Sequence, residues 1–194
     1  MTIELHITGD AAADELLGED PLALLIGMLL DQQVPMETAF AGPAKIRDRM
    51  GGVLNPRIIA EFEPQAFAEL CKQPPAVHRF PGSMAGRIQA LCMAVADDWG
   101  GDAAAIWQDH DGAEVLEHLK ALPGFGDQKA KIFLALLGKR YGVNPHGWQE
   151  ASAPYGEEGS YRSVADIVDQ ESLAKVREFK KAAKTAKAAK AAAT

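Results

Sequence analysis

The fold of this chain is decided by one segment, Leu119–Gly142, which reads LKALPGFGDQKAKIFLALLGKRYG. It predicts the end of one helix, a short hairpin and the start of a second helix. Pro123 cannot continue the incoming helix, and Gly124 and Gly126 permit backbone angles that other residues avoid. After the hairpin, apolar residues recur at helical spacing, at Ile132, Phe133, Leu136 and Leu137.

The start of this second helix is a candidate anion site. Its first backbone N–H groups have no partner inside the helix, and they carry a partial positive charge that attracts anions. The site is small, which suits one phosphate of a nucleic-acid backbone. The alternative is a plain helical corner, because turns punctuated by glycine are common.

The composition bounds the class of protein. A chain of 194 residues, 47% apolar and 24% charged, is typical of one globular domain or two small lobes. It contains no apolar run of about 18 residues, and its start lacks the pattern of a secretory signal, so we expect no membrane span and no export. Cys71 and Cys92 are predicted to be buried free thiols of a cytoplasmic protein. The five histidines show no metal-ligand spacing, so no metal site is predicted.

The charge of the chain is strongly divided along its length. From Ala174 onward there are seven basic residues and one glutamate, a net charge of +6, whereas the whole chain carries −7 and the remainder therefore −13. The final Lys-Ala repeats have high helix propensity but no apolar face, so this tail is predicted to be disordered when free.

Helix caps and helix-breaking prolines and glycines recur along the chain and predict an all-α protein of two helical lobes with a cleft between them. We expect an N-terminal arm over residues 1–19, of which Met1–Ile7 is either a short strand or extended, a helical domain over 20–173 and the tail over 174–194. Asp20 and Pro21 begin a helix that is apolar nearly all round and therefore central. Further helices are expected over 36–50, 83–99 and 163–179, among others.

Residues Leu122–Ala130 resemble the helix-hairpin-helix of the DNA glycosylase superfamily, which includes endonuclease III and the 3-methyladenine glycosylases. The order of helices from about Asp20 to Tyr141 is similar as well. The resemblance implies a monomer that binds double-stranded DNA and associates with the nucleoid if bacterial. It assigns DNA contacts to the hairpin and the following turn, at Gly124, Phe125, Gly126, Gln128, Lys129 and Lys131. It also implies a monovalent cation held by hairpin carbonyls as the one possible cofactor. Two cysteines cannot supply the four thiolates of the iron–sulfur cluster that some members carry.

A polar pair follows the central helix at Gln32 and Gln33. Members of the superfamily that remove alkylated bases have an apolar-x-Gln-Gln-apolar segment here, which meets DNA beside the flipped nucleotide. The resemblance therefore implies DNA contacts for both residues. Their other interpretation is a solvated helix end.

The resemblance fails at the catalytic carboxylate. The superfamily has an aspartate about twenty residues beyond the hairpin, but this window holds VNPHGW and no acidic residue, and His146 stands close to that place. Asp166, His146 and Glu150 are the candidate replacements. Lyase members have a nucleophilic lysine where this chain has Gln128. Because the adjacent Lys129 is turned by about 100° on a helix, we expect it to contact phosphate or solvent, and we expect no strand cleavage.

Residues 143–162 form a predicted loop rich in glycine, proline and aromatic residues. Trp148 and Tyr155 are candidate pocket residues, where an aromatic face would stack on a flipped base. They have a second interpretation, in which they anchor the long loop on the helical body.

Three functions fit the sequence. The first is a monofunctional DNA glycosylase, a hydrolase of base excision repair that flips a damaged base and cleaves its N-glycosidic bond. The second is a module that binds DNA lesions without catalysis, and the third is a helical protein–protein adaptor. Salt-dependent DNA binding separates the first two from the third.

Overall fold

The computed structural model describes residue 3 and residues 5–192 of the chain. Its α-helices are α1 (Ala11–Glu19), α2 (Pro21–Leu30), α3 (Met36–Phe40), α4 (Gly42–Arg49), α5 (Pro56–Glu61), α6 (Pro64–Lys72), α7 (Pro81–Asp98), α8 (Gly112–Ala121), α9 (Asp127–Tyr141), α10 (Trp148–Ala151) and α11 (Gln170–Ala192). Two 3₁₀ turns are formed by Ala103–Ile106 and Val164–Asp166. These residues contain no strand, which confirms the all-α prediction. None of their helices is both long and apolar enough to cross a bilayer.

Helix α2 is the centre of the fold, as its all-round apolar sequence predicts. Asp20 caps it, since its carboxylate accepts hydrogen bonds from the amides of Leu22 (2.8 Å) and Ala23 (3.2 Å). Every residue from 22 to 30 is buried. Because α1, α3, α4 and α7 all contact it, α2 is enclosed by the rest of the body.

The surrounding helices fall into two groups, in keeping with the predicted two lobes. In one group α5 and α6 pack against α7, and in the other α8 and α10 pack against α9. The single helix expected over 36–50 is divided at Ala41 into α3 and α4. Pro43, which has no N–H group to continue the ladder from α3, lies in the first turn of α4.

The N-terminal region contains a helix that the sequence did not reveal. Residues 11–19 of the expected arm form α1, which is capped by Asp10 and buries Leu16 and Leu17. The short apolar stripe of α1 gives little periodic signal, and its stability comes from packing on α2 and α4. Ile3, Leu5 and Ile7 pack on the core without forming a strand. Positions 1, 2 and 4 of the predicted Met1–Ile7 segment lie outside the described residues.

Helix α11 runs further than the sequence suggested. It continues past residue 179, where disorder was predicted, through Ala192. Lysine and alanine favour helix, and this propensity extends the helix although the described side chains after Val176 are exposed.

The two cysteines are free and buried, as predicted. Burial raises the pKa of the Cys71 thiol to about 11 and that of the Cys92 thiol to about 12.

Candidate nucleic-acid interface

The hairpin between α8 and α9 has the backbone that its glycines predict. Gly124 has a φ of +83°, and a side chain there would overlap Leu29 Cδ1, so both backbone and space require glycine. Phe125 is buried, and its ring meets that of Phe133 edge-on at 5.9 Å. The hairpin is therefore fixed from inside by Phe125, while Gly124 and Gly126 face solvent.

The start of α9 is open to an anion. Gly126 is the N-cap of this 15-residue helix, and it has no side chain with which to accept the first amides. No atom outside its own chain neighbours lies within 4 Å of the position that a Cβ on Gly126 would take. The space beside the first turn of α9 is therefore open, and no cap side chain competes with an anion for its first amides.

The two glutamines after α2 have different environments. Gln32 is held in place, because its side-chain amide donates to Leu29 O (2.9 Å) and its Oε1 accepts from Arg87 (3.2 Å). Gln33 is exposed and has a φ of +58°, a left-handed conformation uncommon for a residue with a side chain. Gln33 is thus the member of the pair that is presented outward.

A cavity of about 200 Å³ adjoins the glutamine pair. It is lined by Gln32, Gln33, His78, Phe80, Ser83, Met84 and Arg87. Phe80 at its edge is 45% exposed, and the guanidinium of Arg79 lies over its ring at 5.2 Å. This rim combines amide, cationic and aromatic groups, which are the groups that contact phosphates and bases.

A second cavity, of about 340 Å³, joins the hairpin to the end of α2. It is lined by Met28, Asp31, Gly126, Gln128, Lys129, Ile132 and Lys180, and we call it the hairpin pocket. Asp31 is the C-cap of α2, and its carboxylate pairs with Lys180 Nζ at 3.2 Å. The pocket therefore places a carboxylate across from the start of α9, and no candidate from the sequence included Asp31. The signal in the sequence that could have identified Asp31 is its place between the apolar central helix and the glutamine pair.

Lys129, which the sequence predicts to contact phosphate or solvent, lies in the same pocket and is only partly exposed. Its Nζ donates to Leu29 O at 3.0 Å, and burial lowers its pKa to about 8. Asp31 opposes this shift, whereas Arg87 and Lys180 add to it. Lys129 therefore connects α9 to the end of α2 and provides an amine that gives up its proton more readily than an ordinary lysine.

The neighbouring predicted DNA contacts lie on the outer face of α9. Gln128 is exposed, and its side chain donates to the hydroxyl of Tyr155 at 2.9 Å. Lys131 forms an ion pair with Asp127 at 2.9 Å, one helical turn back. These residues flank the start of α9, and Gln128 and Lys129 share the lining of the hairpin pocket with the end of α2.

Asp166 is placed elsewhere and is fully engaged. Its carboxylate accepts from Lys139 Nζ (2.6 Å) and Ser160 Oγ (3.0 Å), and also from the amides of Arg162 (2.8 Å) and Ser163 (3.0 Å). Lys139 lies near the far end of α9, about 18 Å along the axis from Asp127. The geometry thus gives Asp166 a structural role, tying the 3₁₀ turn Val164–Asp166 to α9.

The other two candidates for the missing carboxylate, His146 and Glu150, are both exposed. The backbone carbonyl of His146 accepts from Gly112 N at 2.8 Å, which joins this loop to the start of α8. Neither side chain lines the hairpin pocket.

Trp148 packs on the helical body. A Cβ on Gly138 would lie 2.5 Å from Trp148 Cε3, and one on Gly112 would lie 2.6 Å from Trp148 N, so both helices carry glycine where the loop crosses them. This packing favours the anchoring interpretation of Trp148. Tyr155 is half-buried, and its hydroxyl accepts the hydrogen bond from Gln128, which places this loop aromatic beside the hairpin.

Comparison with known proteins gives one finding. The family model described as "HhH-GPD superfamily base excision DNA repair protein" matches residues 26–193, which is most of the chain and includes α9 and the glutamine pair. No curated protein matches the chain.

Proposed function

The chain belongs to the HhH-GPD superfamily of base excision DNA repair proteins, and we propose that it removes a damaged base from duplex DNA by hydrolysing the N-glycosidic bond. Proteins of this superfamily bind DNA. One observation carries the finer proposal, namely that Asp31 shares the hairpin pocket with Gly126 at the start of α9. A phosphate held at that helix start would place a flipped nucleoside beside a carboxylate.

In this proposal each part of the pocket has one task. The amides at the start of α9 hold a backbone phosphate, and Gln33 enters the space left by the flipped nucleotide. Asp31 stabilises the positive charge that develops on the sugar as the bond from C1′ to the base breaks. The bonding electrons leave with the base, a water molecule attacks C1′, and the proton that the water loses ends on the departing base, so the products are the neutral base and an abasic sugar with a hydroxyl at C1′. Asp31 would take over the role of the aspartate that is absent after the hairpin.

The test is the Asp31→Asn variant, assayed for base release on duplexes that each contain one lesion from a broad panel. We expect a loss of roughly 100- to 1,000-fold in the rate of release, the range seen when one electrostatic contact to a transition state is removed. The affinity for the same duplex should stay equal or rise, because a negative charge is lost. The matched control is Asp127→Asn, which removes an exposed aspartate beside the hairpin but outside the pocket lining. Equal rates for Asp31→Asn and the control would reject Asp31 as the carboxylate.

A second candidate activity is strand cleavage through a Schiff base, and the lowered pKa of Lys129 is the observation that favours it. With a pKa of about 8, about a tenth of the amine is neutral at pH 7 and able to attack C1′ of an abasic sugar. Gln128, at the usual lysine position, favours hydrolysis alone. Borohydride trapping on an abasic duplex distinguishes the two: a covalent adduct that Lys129→Met abolishes establishes the lyase, and absence of an adduct supports the monofunctional enzyme. If no lesion in the panel is released, the chain is a lesion-binding module.

A further inference from the structure

Helix α11 is attached to the body in two different ways along its length. Leu173 and Val176 are buried and fix its first turns beside the 3₁₀ turn Val164–Asp166. From residue 177 to residue 186 the described side chains are exposed or lie in ion pairs, and Phe179 is 44% exposed. We call residues 177–186 the latch. Apolar packing therefore holds the start of α11 but not the latch.

Two ion pairs hold the latch against the body. Arg177 pairs with Glu37 on α3, and Lys180 pairs with Asp31 in the hairpin pocket. The cations are 56% and 41% exposed, whereas the carboxylates are only 20% and 12% exposed. Because the cations are about half exposed, solvent and salt screen these pairs, although their carboxylates lie close to the body. The latch is thus held by salt-sensitive contacts, and through Lys180 it contributes to the lining of the hairpin pocket.

The surface under the latch is a groove that favours this exchange. It encloses about 390 Å³ between Val34, Pro35 and Met36 on one side and Arg177, Lys180, Lys181 and Lys184 on the other. Two of these cations are already paired with carboxylates of the body, Arg177 with Glu37 and Lys180 with Asp31. Phosphate oxygens accept the same charge-assisted hydrogen bonds from arginine and lysine as carboxylates do.

We propose that the latch closes the hairpin pocket in the free protein and that the DNA backbone opens it. This inference rests on the proposed function. In the free protein Asp31 and Glu37 bind Lys180 and Arg177 as two backbone phosphates would. When duplex DNA docks on the hairpin, its phosphates take over these cations, the latch moves from the pocket onto the DNA, and the carboxylate of Asp31 is released for the sugar. The pocket is therefore uncovered by the substrate itself.

A double-mutant cycle on duplex affinity tests the exchange, using Glu37→Gln and Arg177→Gln and an undamaged duplex at fixed low salt. If DNA must separate Arg177 from Glu37, the Glu37→Gln variant binds about two- to five-fold more tightly, the range expected for an exposed pair. In the Arg177→Gln background the same substitution produces only the small effect of one lost negative charge. Glu69→Gln on α6 is the matched control, since it removes an exposed, paired carboxylate far along the chain from α11.

Two results overturn the exchange. If Glu37→Gln changes affinity equally with and without Arg177, the pair is intact in the complex. If Glu37→Gln weakens binding only when Arg177 is present, the pair presents α11 to DNA and the latch does not close the pocket.

A measurement without DNA separates this inference from the proposed function. Hydrogen exchange of the amides of residues 178–186 should be two- to five-fold faster in Glu37→Gln than in the wild type or in Glu69→Gln, because one of two closing contacts is lost. Unchanged exchange overturns closure, whatever the chain does to DNA. A chain that binds no duplex overturns both the proposed function and opening by DNA, while the exchange rates still report whether Glu37 holds the latch. Asp31→Asn removes both the proposed catalytic carboxylate and the partner of Lys180, so the test of the latch uses Glu37 and not Asp31.

Discussion

Gly126→Asp should make the protein more stable and a poorer DNA binder at the same time. Gly126 has φ −85° and ψ 175°, the extended conformation of an N-cap, and no atom lies within 4 Å of its Cβ position. An aspartate therefore fits without strain and accepts the first amides of α9. The cap contributes a few tenths of a kcal/mol over glycine and the charge at a helix start about 0.3–1, so the free energy of unfolding should rise by about 0.5–1 kcal/mol.

The same carboxylate would occupy the proposed phosphate site. A charge-assisted contact of about 1.5–3 kcal/mol is then lost, which corresponds to roughly 10- to 100-fold weaker duplex binding. Thermal unfolding and fluorescence anisotropy at one salt concentration measure the two effects. An unchanged affinity in a variant with a raised melting temperature would show that no phosphate binds at the hairpin.

Two controls separate the cap from the charge. Gly126→Asn also caps the helix but carries no charge, so it should be about as stable as Gly126→Asp and should lose less affinity. Gly124→Ala should behave differently from both, since a φ of +83° and the nearby Leu29 side chain make any Cβ unfavourable there by about 1–2 kcal/mol or more.

The remaining predictions concern four other parts of the chain. Trp148→Ala should lower the free energy of unfolding by about 2–3 kcal/mol, somewhat less than for a fully buried ring, as measured by chemical denaturation; native stability with poorer discrimination of lesions would instead support base stacking. Asp166→Asn should cost about 3 kcal/mol of stability by breaking a buried ion pair, with duplex affinity kept, and a variant that is stable but inactive in base release would return Asp166 to the catalytic candidates. The pKa of Lys129 is about 8 in the folded chain against an ordinary 10.5, so between these pH values the unfolded chain binds more protons than the folded one. The free energy of unfolding of the wild type, relative to that of Lys129→Met, should therefore rise from about pH 8 to pH 10.5. A difference that does not change with pH contradicts the lowered pKa. Deleting residues 177–194 should flatten the slope of log affinity against log salt by roughly 0.9 for each phosphate contact removed, and an equally steep slope would show that the body alone binds DNA.

Local features of the fold could be predicted from the sequence. The Asp-Pro start and all-apolar sequence of α2 identify a central helix, and the hairpin is specified by Pro123, Gly124 and Gly126 within four residues. Each of these signals depends on the backbone preferences of neighbouring residues, so no tertiary information is needed to read it.

The hairpin pocket could not be predicted in the same way. Lys129 reaches Leu29 O across 100 positions of the chain, and Lys180 reaches Asp31 across 149. Such contacts depend on how the helices pack against one another, and the spacing of residues along one helix carries no information about that packing. Asp166 illustrates both cases, since its capping box with Ser163 is a local pattern whereas its ion pair with Lys139 is not.

The burial of both cysteines makes the chain convenient to modify chemically. With thiol pKa values of about 11 and 12, Cys71 and Cys92 carry almost no thiolate at neutral pH, and thiolate is the form that attacks disulfides and maleimides. A cysteine introduced at an exposed position such as Gln128 would therefore be labelled selectively without first removing the native ones. Paired with a duplex that carries a thiol tether, it offers a covalent route to trapping the protein on DNA.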